Sequence, residues 1–177
     1  IVKSLYKKMA ELAAKKDFEN AAKLRDRINN IEETIERQKI SDPNRKDTDI
    51  FNYMIAQNKA FFNLFQIRDG KLINQENFIV QAQSVTDEDE ASKEELLGSF
   101  LTQYYEKTRN IPKEILLPHK PSAKKELETF ISTEKGNKVK ILIPKIGEKN
   151  KLLSMSQKNA KIYADRNTTN WQEKGED

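Results

Sequence analysis

Val2, Leu5, Met9 and Leu12 recur at steps of three and four residues, which places them on one face of a helix. Ala13 and Ala14 lead into Lys15–Lys16, and Asp17 is placed to cap a second helix. There Ala21, Leu24, Ile28, Ile31 and Ile35 form a seam suited to packing helix on helix, while Lys23, Arg27, Asn30, Glu33 and Arg37 fall on the solvated side. Residues 1–40 therefore read as a helical hairpin. Two helices this short bury too little apolar surface to stand alone, and they require the rest of the chain or a partner's helices. Residues 41–49, SDPNRKDTD, contain a proline and no apolar side chain, and are expected to be a linker.

From Ile50 the period changes. Aromatic and branched residues alternate with polar ones, and Asp69–Gly70 is a two-residue hairpin signal, so three antiparallel strands are expected at 50–57, 60–68 and 71–82. After the acidic run Asp87–Glu90, Ser92 and Glu95 form a capping box for a helix reaching Lys107, with Leu96, Leu97, Phe100, Leu101 and Tyr104 as its buried stripe. KEILLP is a short strand stopped by Pro118. Ser122 is the expected cap of a helix carrying Leu127, Phe130 and Ile131, closed by Gly136. KVKILIP is a fifth strand stopped by Pro144. A last helix is expected from Lys149 to Arg166, with Leu152, Leu153, Met155, Ala160, Ile162 and Tyr163 inward. Residues 167–177 read as a polar tail in which Trp171 is the one residue able to dock. The fold class is α+β or α/β: a hairpin, then β-β-β-α-β-α-β-α over 50–166 with right-handed crossovers and a mixed sheet. That element order is shared with ribonuclease H-like folds, an analogy of topology that establishes no activity.

Charge alters this picture little. The 177 residues carry 32 Lys and Arg against 28 Asp and Glu, a net charge of +4. The excess is spread evenly along the chain, so any phosphate-binding surface must come from local clustering. There is no cysteine, hence no disulfide and no thiolate metal site. No apolar run approaches the ~20 residues of a membrane span, and no signal peptide is expected. The lack of an initial Met and the polar end suggest a piece of something larger.

A ribonuclease H-like nuclease needs carboxylates from separate elements converging on two metal ions. Here the first strand offers Tyr53 and Ile55 at its centre, with Asp49 expected outside it, and the fourth ends in Pro118–His119. Glu94, Glu95 and Asp165 lie on helices, but no catalytic or metal site can be built, and no cofactor is expected. The single histidine, His119, reads as a loop residue. Two features stay open. Phe18, at the hairpin's turn, either inserts into a partner or staples the hairpin to itself. The loops HKPSAKK and KIGEKNK each join a strand's end to a helix start, so Lys120, Lys124, Lys125, Lys145, Lys149 and Lys151 are either a seat for backbone phosphates or ordinary surface lysines.

KDFENAAKLRDRINNIE resembles the UVR motif, the helical hairpin shared by the UvrB and UvrC families, with its core at Phe18, Glu19, Ala21, Ala22, Leu24, Arg25 and Asp26. FFNLFQIRDGKLINQENF, FLTQYYEKTRNIPKEILLP and VKILIPKIGEKNKLLSMSQKNA resemble UvrC-family sequence beyond that motif, in order and spacing. The resemblance implies nucleotide-excision repair in the cytoplasm. UvrC joins UvrB on damaged DNA, and its nuclease segments, a GIY-YIG domain and a D-x-S-N ribonuclease H-like domain, lie outside this stretch. It further implies that the hairpin docks UvrB through Phe18, Glu19, Ala21, Ala22, Leu24, Arg25, Asp26 and Ile28. Other readings are a metal-dependent nuclease in the second domain, and a regulatory adaptor of a protease system. The unsatisfied seam also suggests homodimers at high concentration.

Overall fold

A computed structural model describes the backbone of residues 2–175, and their side chains except at 33, 35–39 and 169–175. The chain divides into two compact units, Ile1–Asp42 and Pro43–Asp177.

The first unit is the hairpin. Helix α1 spans Val2–Ala14 and α2 spans Phe18–Ile40. The turn is set by Lys16 in the left-handed region (φ 63°). Asp17 N–H donates to the Leu12 carbonyl at 2.9 Å and Lys16 N–H to that of Ala13 at 3.0 Å, the paired bonds of a Schellman motif with lysine where glycine is usual. Asp17 then caps α2, its carboxylate accepting from the Asn20 amide N–H at 3.4 Å. Along the α2 seam Ala21 and Ile28 are buried and Leu24 and Ile31 half-buried, whereas α1 has no buried residue. Tyr6 donates to Glu32 Oε1 at 2.8 Å and ties the two helices together. Lys23, Arg27 and Asn30 are exposed as expected; the side chains of Glu33, Ile35 and Arg37 lie outside the described ones.

The second unit is a five-stranded mixed sheet: β1 Thr48–Ala56, β2 Lys59–Arg68, β3 Lys71–Gln81, β4 Glu114–Leu116 and β5 Lys140–Leu142. Its order is β3-β2-β1-β4-β5. The first three strands pair antiparallel, and β4 runs parallel to both β1 and β5, the mixed sheet expected of a ribonuclease H-like domain. Asp69 and Gly70 both take positive φ (52° and 74°), as the hairpin signal requires. Gln57 and Asn58 do the same (51° and 62°) without glycine to announce it.

Helices α3 (Glu90–Lys107) and α4 (Lys124–Lys135) cover one face of the sheet, where Phe51, Tyr53, Phe62 and Leu64 meet Leu97, Phe100, Leu101, Tyr105, Leu127 and Ile131. Helix α5 (Gly147–Gly175) lies over β1 and β2 on the other face. There Asn52 Nδ2 donates to the Leu153 carbonyl at 2.9 Å, Ser156 Oγ donates to Asn63 Oδ1 at 2.9 Å, and Phe61 meets Tyr163 edge-on. Because α5 stops short of β3, that edge strand keeps Ile73 and Ile79 exposed.

Several boundaries differ from the sequence expectation. Thr48 and Asp49 belong to β1 and are fully buried, so the segment outside regular elements is 41–47. Helix α3 is capped by Asp89, whose carboxylate accepts from Ser92 N–H at 3.3 Å, so Ser92 and Glu95 fall inside the helix. Ser122 does not cap α4: Ala123 stands at that position in the left-handed region, and Ser122 N–H donates to the Glu94 carbonyl instead. Gly136 ends α4 as expected. Helix α5 runs through the expected tail to Gly175, and the Trp171 side chain lies outside the described ones. Ile162, expected inward, is exposed.

Candidate partner and nucleic-acid interfaces

In the hairpin unit, Phe18 begins α2 and is 65% exposed. Of the two readings open to it, this exposure disfavours the self-staple, since most of the ring is left uncovered by α1. Further along α2, Ala21 is buried, Ala22 and Leu24 are half-buried, and Ile28 is buried in the seam, so these four serve hairpin packing first. Glu19 pairs loosely with Lys23 (3.8 Å) and Arg25 with Asp26 (3.9 Å), all well exposed. Such pairs contribute little to the fold and leave the charges available. A separate groove of about 380 Å³ runs between the helices, lined by Lys8, Leu12, Asn20, Lys23, Leu24 and Arg27 and not by Phe18.

In the second unit, the two lysine-bearing loops follow neighbouring parallel strands, and Leu117 N–H donates to the Leu142 carbonyl at 2.9 Å where they leave the sheet. The six lysines are not equivalent. Lys149 turns inward to Glu114 Oε2 at 3.1 Å, and Lys124 pairs with Glu128 at 3.8 Å. Lys120, Lys125, Lys145 and Lys151 are exposed, as is Ile146 at the tip of the second loop.

The positions where a ribonuclease H-like nuclease would gather acids are differently filled. Tyr53 of β1 donates to His119 Nε2 at 2.6 Å, at the end of β4. His119 Nδ1 lies 2.9 Å from the Lys120 carbonyl, which can only accept, so the proton sits on Nδ1 and Nε2 receives the phenol. The Tyr53 ring stacks on Phe62 at 4.9 Å, and burial holds its phenol well above the ordinary range. His119 is thus held by two hydrogen bonds, more fixed than a plain loop residue.

Two strand carboxylates that sequence reasoning did not place are buried nearby. Asp49 lies inside β1, opposite Gln66 and Ile115. Its Oδ2 accepts from Tyr105 at 2.7 Å, and Arg68 Nη1 stands 2.9 Å from Oδ1. That guanidinium nitrogen aims its N–H groups at the carbonyls of Ile67 (2.9 Å) and Thr48 (3.3 Å), so Oδ1 receives attraction without an aligned hydrogen bond. Burial, the largest influence, raises the Asp49 carboxyl above its usual range despite Arg68. Burial also lifts Tyr105 well above the phenol norm and Tyr104 to about 12. Glu114 of β4 accepts from Thr48 Oγ1 at 3.1 Å and from Lys149. Thr48 and Glu114 sit side by side, so Asp49, the next residue, points to the opposite face. The sheet itself separates the two carboxylates, and they cannot share an ion. Among the described residues no three His, Cys, Asp or Glu gather closely enough to hold a metal. The acidic run Asp87–Glu90 is exposed and serves the start of α3.

Comparison with known proteins agrees with this division. Residues 1–34 match the UvrB/uvrC motif, and residues 47–167 match the UvrC Ribonuclease H-like domain. UvrABC system protein C of Alkaliphilus oremlandii is 36% identical over 96% of this chain and 26% of its own length. The protein of the same name from Caldicellulosiruptor saccharolyticus is 37% identical over 92% of this chain and 26% of its own. That of Clostridioides difficile is 37% identical over 94% and 27%. The chain therefore spans about a quarter of the length of these curated relatives. An endonuclease V of Ciona intestinalis solved with a 24mer DNA is similar at 14% identity and TM-score 0.33, over 82% of this chain and 69% of that one. That likeness is too loose to say anything of this chain. With its hairpin and its sheet both matched in order, the chain belongs to the UvrC family.

Proposed function

We propose that this chain is the UvrB-recruiting central segment of a UvrC-type excision nuclease subunit, acting in cytoplasmic nucleotide-excision repair. The observation that carries the reading is Phe18: a phenylalanine 65% exposed at the start of α2, in a hairpin whose first helix buries nothing. An aromatic held on a rigid helix end at no ordering cost is the usual form of an interface anchor. In this reading Phe18 enters the corresponding hairpin of UvrB, Ala21 and Ala22 allow close backbone approach, and Leu24 and Ile28 keep α2 packed on α1 so that the anchor is held in place. Glu19, Arg25 and Asp26 form rim pairs. Phe18→Ala weakens binding to the isolated UvrB hairpin by about 2–4 kcal/mol in calorimetry, while reversing Glu19 or Arg25 costs under about 1 kcal/mol. An unchanged dissociation constant for Phe18→Ala overturns the reading.

The sheet unit serves as a spacer and a candidate DNA contact. Exposed Lys120, Lys125, Lys145 and Lys151 favour this role, and the engagement of Lys124 and Lys149 with carboxylates lowers theirs. Replacing the four exposed lysines by glutamine flattens the salt dependence of DNA binding by the chain, whereas Lys124→Gln alone leaves it nearly unchanged. No salt dependence in the parent chain means a spacer only. The metal-dependent nuclease reading loses support from the placement of Asp49 and Glu114 on opposite faces. The protease-adaptor reading loses it from the match of the second unit to a UvrC domain.

A further inference from the structure

We infer that the sheet unit carries a cationic surface at the amino ends of its parallel strands, where Lys46, Lys113, Lys138, Lys140 and Lys145 grip the phosphate backbone of a DNA duplex. This rests on the DNA contact proposed above and gives it a second address, with Lys145 common to both. The three strands start level: Thr48, Glu114 and Lys140 stand side by side across β1, β4 and β5. Lys113 N–H donates to the Asp47 carbonyl at 3.0 Å and Lys140 N–H to the Lys113 carbonyl at 3.1 Å, so the chain enters all three strands along one end. Ile141 is in the core, so Lys140 before it points to the face that carries α5. The loop after β5 turns back to this end. Lys149 of the first turn of α5 reaches Glu114 at 3.1 Å, and Arg45 faces Glu148 at 3.8 Å, which draws Lys145 and Ile146 towards the strand starts.

All five lysines are exposed, and none joins an ion pair among the described residues. The neighbouring carboxylates are engaged elsewhere. Glu114 accepts from Thr48 and Lys149, Glu148 faces Arg45, and Asp47 Oδ1 accepts from Asp69 N–H at 3.0 Å. A row of cations without counter-charges raises the local potential and attracts a polyanion. Lysine is a hydrated point charge without a preferred fork geometry, which suits phosphates held without regard to sequence. Among the described residues of this unit no aromatic ring is exposed to stack on free bases, so a duplex fits better than a single strand. Ile146, 87% exposed beside Lys145, adds an apolar tip to lie against the sugar edge of a groove.

The test is fluorescence anisotropy of a labelled duplex titrated with the whole chain at several salt concentrations. One variant carries Lys113→Gln, Lys138→Gln and Lys140→Gln. A charge-matched variant carries Lys120→Gln, Lys125→Gln and Lys151→Gln. The first is expected to bind at least about tenfold more weakly at low salt, with the slope of log affinity against log salt reduced by about 2–3, since each lost duplex phosphate contact removes about 0.9. Ile146→Ser is expected to weaken binding by a similar factor at every salt concentration without changing the slope, because an apolar contact releases no counterions. All the altered positions are exposed, and an unchanged thermal midpoint verifies folding. Parent-like affinity and slope in the first variant overturn the inference. If the loss then falls wholly on the second variant, the DNA contact proposed above stands while this one fails. A parent chain that binds no duplex, or that prefers vesicles of anionic phospholipid to the duplex, overturns both and leaves the UvrB contact untouched.

Discussion

Arg68 shows how much one side chain can organise. It donates to the Asn110 side chain and carbonyl at 3.0 Å each, to the Ile67 and Thr48 carbonyls, and faces the buried Asp49 carboxylate. Removing one partner of a buried ion pair leaves an uncompensated charge, so Arg68→Met is expected to cost about 3–5 kcal/mol at neutral pH. The pH dependence has a definite sign. Burial already raises the Asp49 carboxyl, so the folded chain holds that proton more tightly than the unfolded chain. Its contribution to stability is therefore greatest in acid and declines as pH rises through the folded value. Losing Arg68 raises the carboxyl further, so the deficit of the variant shrinks as the solution is acidified. Urea denaturation of both proteins at neutral and mildly acidic pH measures this, and a deficit independent of pH would locate the role of Arg68 in its carbonyl bonds alone. Asp49 was unreadable in the sequence because SDPNRKDTD looks like linker. What makes its burial tolerable comes from Arg68 and Tyr105, both distant along the chain, and no local pattern announces them.

At the scale of elements, the turn between α1 and α2 places a lysine where glycine is preferred. Lys16→Gly removes the strain of a left-handed side-chain-bearing residue and is expected to stabilise the hairpin by about 0.5–1 kcal/mol, read as a higher midpoint in thermal circular dichroism. Periodicity marked the longer elements, since the stripes of α1, α2, α3 and the alternation in β1–β3 are each long enough to be read, while β4 and β5, three residues each, were legible as short apolar runs stopped by Pro118 and Pro144. The ends were less legible for identifiable reasons. Asp89 outcompeted Ser92 as the cap of α3 because it accepts from the Ser92 amide itself. Ser122 was drawn away by a backbone bond to Glu94, close to Gly98, where an added methyl would stand 2.7 Å from the Ser122 hydroxyl. The extension of α5 past Arg166 has no apolar stripe to signal it. Of the interface residues, Phe18 was visible as an aromatic out of place, but the groove between α1 and α2 depends on two helices being side by side and could not be read from either alone.

For the whole molecule, the sheet decides what the second unit can do. Its two buried strand carboxylates are fixed on opposite faces, one under α3 and one under α5, so incubation of the chain with bubble DNA and Mg²⁺ or Mn²⁺ is expected to leave the DNA intact. Cleavage that vanishes in Glu95→Gln would contradict this. The order β3-β2-β1-β4-β5 leaves β3, eleven residues long, as an outer rail with Ile73 and Ile79 turned to solvent. Nothing in it resembles the prolines or clustered lysines that usually discourage stacking of such strands. A purified preparation should consequently gel or form thioflavin-positive fibrils on concentration, seeded along that rail, and Ile79→Lys should lengthen the lag before they appear. In a longer polypeptide, the same rail would be the natural place for a neighbouring module to lend a sixth strand.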